Sequence, residues 1–306
     1  MKKIATAILS LGVLCALPTT SAALDVVQVT KNVYALVGPL EQRTPENLGN
    51  NATFGVIVTS DGVVLVDPGG SAKGAAVIEK AIATFTDAPV RVVINTGGQD
   101  HRWFGNAYFK AKGATVIASA AAVEDQRERS DLQWQILQTQ IGKDGLTGTR
   151  LEHADTVFDT SHILNIGGER IEIVHPGQAH TPGDSFVWLA DRRIVFSGDI
   201  VYLDRMLGVL PYSNSASWLD AFSAIEARDP ATVIPGHGKP APFAKARTET
   251  RDYLRHLRKE VGALLESGGT LIDAKKVDQS AYAYLALFEQ LSRRNAQAVF
   301  SEMEFE

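Results

Sequence analysis

One cysteine in 306 residues, Cys15, leaves no pair for an intrachain disulfide and no thiolate cluster for a metal. A basic run is missing as well. The net charge is -5, and the Lys and Arg residues of "KARTETRDYLRHLRK" are interleaved with acids, as on a solvated helix face, which excludes nucleic acid as a partner. The apolar stretch from Ile4 to Pro18 falls short of the roughly 20 residues of a bilayer span. It follows Lys2 and Lys3 and precedes Ser21, Ala22 and Ala23, the layout of a cleaved secretory signal. The expectation is a signal peptide over 1–23, cleaved near Ala22 or Ala23, a periplasmic or secreted mature chain, and no stable membrane insertion. Leu14 is too large for the residue ahead of a lipid-modified cysteine. Cys15 leaves with the signal, so any metal must be held by His, Asp, Glu or water.

No internal period, low-complexity tract or linker divides the rest. With 45% hydrophobic and 21% charged residues it has the composition of a globular protein with a sizeable core. "VYALVG" and "TFGVIVTSDGVVLVDPGG" read as strands, the second run turning at "SDG". "SAKGAAVIEKAIATF" has apolar residues at helical spacing, and "VRVVI" follows as a buried strand. "NAYFKAKGATVIAS" repeats the helix-strand step, and "AAVEDQRERSDLQWQILQTQIG" reads as a polar helical insertion. Further strand-like runs end in "HPG", "SGD" and "PGHG", and the tail from about Phe243 is mostly helical. The pattern predicts one α/β domain over 24–306, two mixed sheets covered by outer helices, with a helical C-terminal extension.

Polar residues gather where the apolar runs end, the place where α/β sheets present their sites. Asp67 follows "VVLV", Asp100 and His101 follow "VRVVI", His180 follows "IEIVHPGQA", Asp199 follows "RIVFSG" and His237 follows "ATVIPG". Any one of them has an ordinary structural use. Together, with glycines beside most of them to permit close backbone approach, they point to one shared site.

"VVLVDPGG", "HTPGDS", "SGDIV" and "PGHG", in that order and with His101, His180, Asp199 and His237 separated by about 79, 19 and 38 residues, resemble the metallo-β-lactamase-fold superfamily. The resemblance implies a four-layer αβ/βα sandwich with the site along one edge, and a metallohydrolase. It also implies His180 as a ligand of a first metal, Asp199 as a bridging carboxylate, His237 as a ligand of a second metal, and Asp67 as an acid orienting a ligand or the ligand loop. Imidazole and carboxylate donors suit Zn²⁺ at about 2.0–2.2 Å, with an open position for water.

The chain departs from the family in the loop of pattern His-x-His-x-Asp-His, which here reads "NTGGQDHRW". Gly97 and Gln99 stand where the first two histidines belong. An alignment with a one-residue gap keeps Asp100 and His101 as second-metal ligands. It is preferred because Gly97-Gly98 can adopt positive φ and absorb the register change. An ungapped alignment puts His101 in the place of the family Asp and Arg102 in the place of the family His. Under either, the first position keeps too few ligands, whereas Asp100, His101, Asp199 and His237 suffice for one metal. His153, His162, His175 and His256 read as structural residues, though His153 or His175 could rescue a ligand position. Trp103, Phe104, Trp188 and Trp218 read as core or pocket wall.

The expected function is that of an exported hydrolase using one divalent metal, Zn²⁺ or alternatively Fe²⁺, against an ester, amide, thioester or lactam. Asp100 would ligate or handle the proton, and His180 would complete the site or orient a small-molecule substrate. The alternative is a non-catalytic periplasmic binding or accessory protein with a degenerate metal site. Antibiotic resistance is disfavoured, because that activity leans on the histidines missing from the loop.

Overall fold

The computed structural model describes residues 23–306. The expected signal sequence therefore lies almost wholly outside the described residues. The chain opens with four strands, β1 (Asp25–Thr30), β2 (Val33–Val37), β3 (Thr53–Thr59) and β4 (Gly62–Val66), each antiparallel to the next. The residues of β4 are buried throughout, as expected of a strand covered on both faces. Helix α1 (Ala72–Ile82) is started by the Ser71 side chain, which accepts from the Gly74 backbone N–H, a cap worth about 1 kcal/mol.

Strand β5 (Val90–Ile94), helix α2 (Asn106–Lys110) and strand β6 (Thr115–Ser119) continue the alternation. Helix α3 (Ala120–Gly145) is the expected polar insertion, capped by Ser119 and broken near its end at Gly142. With β7 (Thr156–Phe158) the first sheet reaches seven strands, in sequence order and parallel from β4 onward. The second sheet contains β8 (Ser161–Ile166), β9 (Glu169–Val174), β10 (Phe186–Leu189), β11 (Ile194–Phe196), β12 (Thr232–Ile234) and β13 (Ala241–Pro242). In it only β11 and β12 pair in parallel.

The two sheets face one another across a core that includes Ile57, Val66 and Ile94 from one sheet and Ile173, Val187 and Phe196 from the other. Outside the first sheet, Ile78 of α1 and Phe109 of α2 pack with Phe54 and Leu65. Outside the second, helices α4 (Ser215–Glu226) and α6 (Asp252–Glu266) and the C-terminal helix α8 (Phe288–Met303) pack on Val195 and Val233. The result is the four-layer αβ/βα sandwich. The short helices α5 (Phe243–Ala246) and α7 (Leu271–Ala274) complete the helical tail. Among the described residues no helix is long and apolar enough to cross a membrane.

This topology places the site. The parallel pairs β4–β5 and β11–β12 end at one edge, and five of the polar residues singled out above follow those ends. Asp67 follows β4, the loop 95–105 follows β5, a 3₁₀ turn Gly198–Ile200 follows β11, and His237 follows β12.

Candidate metal centre

The loop after β5 runs extended to Gln99 and then tightens into a 3₁₀ turn, Asp100–Arg102, which turns three consecutive side chains in different directions. Its backbone is clamped by the polar face of α3: Gln126 donates to the Gly97 carbonyl and Gln133 to the Gly98 carbonyl. Asp67, with φ of 66° in the left-handed region, accepts from the Thr96 backbone N–H and hydroxyl, both at 2.8 Å. The insertion helix and the strained aspartate together hold the loop from both sides.

His101, Asp199 and His237, all buried, offer three ligand atoms within 4.8 Å of one another. The Nε2 atoms of His101 and His237 lie 3.2 and 3.3 Å from the two Asp199 oxygens. His101 Nε2 is buried and has no hydrogen-bond partner. The Nδ1 atoms point away from the centre. That of His237 is 2.7 Å from the Asn51 carbonyl oxygen, and that of His101 is 3.1 Å from Asp100 Oδ1. A ligating histidine commonly donates its other N–H to such a carbonyl or carboxylate, which turns the free nitrogen toward the ion. Two imidazoles and one carboxylate with open positions therefore fit a single divalent ion.

Arg102 supports Asp199 from beneath. Its guanidinium is fully buried and donates twice to Asp199, at 3.1 and 2.7 Å, once to Asp67 at 2.8 Å, and again to the Gly236 and Thr53 carbonyls. Burial alone would raise the Asp199 carboxyl, but Arg102 and His101 hold it well below the usual range, so it stays ionised. Burial, followed by the charge of Arg205, pushes His237 well below the ordinary imidazole value, leaving a neutral ring able to ligate.

Two of the expected site residues stand apart from the converging donors. Asp100 does not join the converging donors: its carboxylate accepts from Arg43 at 2.5 Å and backs onto His101. Burial raises the Asp100 carboxyl, but the charge of Arg43 and the hydrogen bonds and charge of His101 together outweigh it and hold Asp100 at about 2, too low for a proton carrier at neutral pH. His180 does not join them either. Its Nδ1–H donates to the Gly208 carbonyl at 2.9 Å, and its Nε2 meets the Gln99 side-chain amide at 2.5 Å. Burial lowers this imidazole to about 4, so the ring is neutral; with Nδ1–H given to Gly208, Nε2 is an acceptor, and the Gln99 amide, placed with Oε1 toward it, donates to it only with its oxygen and NH₂ group exchanged. The Gln99–His180 contact fills the place where the resemblance implied a first metal.

The geometry departs from the gapped alignment as well. Neither Gly97 nor Gly98 has positive φ, and Arg102 faces Asp199, as the ungapped reading requires. The glycines serve close approach instead. A Cβ on Gly97 would lie 2.6 Å from Asp184 Oδ1, and one on Gly98 would collide with the Asp125 carboxylate. His153 stacks on Trp103, and His175 donates to the Asp184 carbonyl, so neither rescues a ligand position. Trp103, Phe104, Trp188 and Trp218 are buried.

Arg43 and Arg205 went unnoticed in the sequence. Arg43 lies in the irregular segment 38–52 between β2 and β3, and Arg205 beyond the "SGDIV" motif, without a periodic or turn signal to mark them. Both line a cavity of about 130 Å³ that opens onto His101, His180 and His237. Tyr202, stacked on His237 with ring centroids 4.7 Å apart, forms another wall.

The chain is 25% identical over 203 residues to a metallo-beta-lactamase type 2 of Elizabethkingia meningoseptica, covering 61% of this chain and 68% of the relative. It is 26% identical over 179 residues to the 2,4-dinitroanisole O-demethylase subunit alpha of Nocardioides sp. (strain JS1661), covering 58% of this chain and 49% of the relative. The solved structure of the sec-alkylsulfatase Pisa1 from Pseudomonas sp. superposes with a TM-score of 0.71 at 17% identity, over 91% of this chain and 50% of the sulfatase. The chain thus spans about half the length of the demethylase subunit and of the sulfatase. The sequence profile of the metallo-beta-lactamase superfamily matches residues 49–237, from the segment before β3 to the last of the converging histidines. On that match, more than half of its length, the chain belongs to the metallo-β-lactamase superfamily.

Proposed function

We propose that this protein is an exported hydrolase that works with one divalent metal, zinc, on a small-molecule ester, amide, thioester or lactam. The observation that carries the reading is the buried, unpartnered His101 Nε2 turned toward Asp199 and His237. When bound, a divalent ion supplies Lewis acidity, polarising a carbonyl oxygen and lowering the pKa of water at its open position. The chain's own residues do the rest. His101, Asp199 and His237 hold the ion, Asp100 and the Asn51 carbonyl orient the two rings, and Arg102 fixes the carboxylate. His180, tied to Gln99 and Gly208, shapes the cavity wall against which substrate lies.

Export over residues 1–23 and a single domain over 24–306 belong to the same proposal. They are supported by the Lys2-Lys3 start, the apolar stretch behind it and the small residues at 21–23. Metal analysis of the purified protein after loading with zinc or iron(II) tests the reading. About one equivalent is expected, with turnover of at least one member of an ester, thioester and lactam panel. Retention below about half an equivalent would sink it. Iron in preference to zinc would move the chemistry to the open-sited iron class.

The Gln99–His180 contact favours a second reading, a periplasmic binding protein that keeps the pocket without turnover. It predicts no hydrolysis with any metal, while a specific small molecule still raises the melting temperature.

A further inference from the structure

We infer that the substrate carries an oxyanion group, gripped by Arg43 and Arg205 in the cavity beside His101 and His237. The inference rests on the pocket reading above and names its substrate class. The cavity wall includes three arginines, Arg43, Arg205 and Arg294, and no carboxylate. Arg205 is 7% exposed and has no carboxylate partner among the described residues, and its Nε–H is buried without an acceptor. The Arg43 side chain is 9% exposed; one terminal nitrogen serves Asp100, and its Nε–H also lacks an acceptor. Burying an ion without its counter-ion costs several kcal/mol. Arg102 shows how this fold treats a structural arginine: two carboxylates and two carbonyls surround it.

The remaining contacts of the two arginines are with the histidine rings. Arg205 Nη1 lies 2.9 Å from His237 Nδ1, and Arg43 Nη2 lies 2.7 Å from His101 Nδ1. A ring nitrogen carries either a hydrogen or a lone pair, never both at once. In the tautomer that frees Nε2 for an ion, His237 Nδ1–H donates to Asn51 and His101 Nδ1–H donates to Asp100, so neither ring accepts from an arginine. The form of the site that can hold a metal therefore leaves two charged forks facing the cavity with N–H groups to spare. A guanidinium stays charged at neutral pH. Planar or tetrahedral oxyanions accept from such forks in pairs. A volume of about 130 Å³ suits a small anion better than a drug-sized ligand, whose pockets start near 300 Å³.

The test is thermal unfolding of the purified protein, chelated and metal-loaded, titrated with succinate, inorganic phosphate or sulfate against chloride at matched ionic strength. At least one oxyanion should raise the melting temperature saturably. Response to succinate alone assigns a carboxylate, and response to phosphate or sulfate alone assigns a tetrahedral group. Arg205→Met should weaken that anion at least tenfold while raising the melting temperature of the anion-free protein, because a buried unpaired charge is removed. A residue with a merely structural role would lower it. Arg43→Gln should weaken the anion by a similar factor, and Arg205→Lys, which keeps the charge and loses the fork, gives the same reading if Arg205→Met does not fold. No stabilisation beyond chloride, or wild-type anion affinity in the folded arginine variants, overturns the inference. Metal content measured on the same samples separates the two claims. Bound metal without an anion response sinks this one alone, and an anion response without metal sinks the hydrolase alone.

Discussion

The Gln99–His180 side of the centre and the His101–Asp199–His237 side are built from one loop and its facing strand ends, yet their donor atoms are committed differently. On the first side a glycine replaces one donor, an amide replaces another, and the remaining imidazole uses both nitrogens on protein partners. On the second, every outer nitrogen and oxygen has a protein partner, while the inner atoms converge with one of them unsatisfied. A polar cluster whose members all bond one another is a finished piece of structure. A cluster anchored from outside and open at its middle is prepared for a ligand.

The largest effect that would sharpen this contrast is structural. Arg102→Met should leave Asp67 and Asp199 buried without their cation and cost about 3–5 kcal/mol in urea-unfolding measurements; a cost near zero would mean that the guanidinium does not prop up the open side. Next comes metal retention. His101→Ala should cut the bound metal at least 100-fold in affinity, whereas His180→Ala should stay close to wild type, as read by competition with a chromophoric chelator. Equal losses would erase the distinction between the sides. Asp100→Asn should weaken the metal by about 10–100-fold without unfolding the protein, the usual range for a group that orients a ligating histidine; no change would remove Asp100 from that role.

A pH effect lies on the closed side. Burial, then the negative charge of Asp199, raises the Asp184 carboxyl to about 8. The folded protein therefore holds a proton that the unfolded chain has released above about 4, and this group's contribution to stability is lost as pH rises toward 8. Asp184→Asn should at least halve the wild-type fall in melting temperature between pH 5 and pH 8. An unchanged fall would show that other groups dominate it.

Much of this was legible in the sequence. The ends of β4, β11 and β12 were marked by apolar runs stopping at Asp67, Asp199 and His237, and burial of those runs forces the polar residue that follows to the sheet edge. The α3 insertion announced itself by its composition. Its grip on the Gly97 and Gly98 carbonyls did not, because glutamines on a polar face look like solvated residues until the loop is laid against them. The orientation of Asp100 against Arg102 was beyond reach for a similar reason. A 3₁₀ turn sends neighbouring side chains apart, and which one faces inward depends on a counter-charge, Asp67, supplied by another strand, and on Arg43, supplied by a segment without periodicity.

The close approach at Gly97 has a bearing on redesign. With Asp184 Oδ1 2.6 Å from where a Cβ would stand, a histidine restored at 97 requires the Asp184 carboxylate to shift. Rebuilding a two-metal site on this chain would therefore take histidines at 97 and 99 together with a shift of the Asp184 carboxylate.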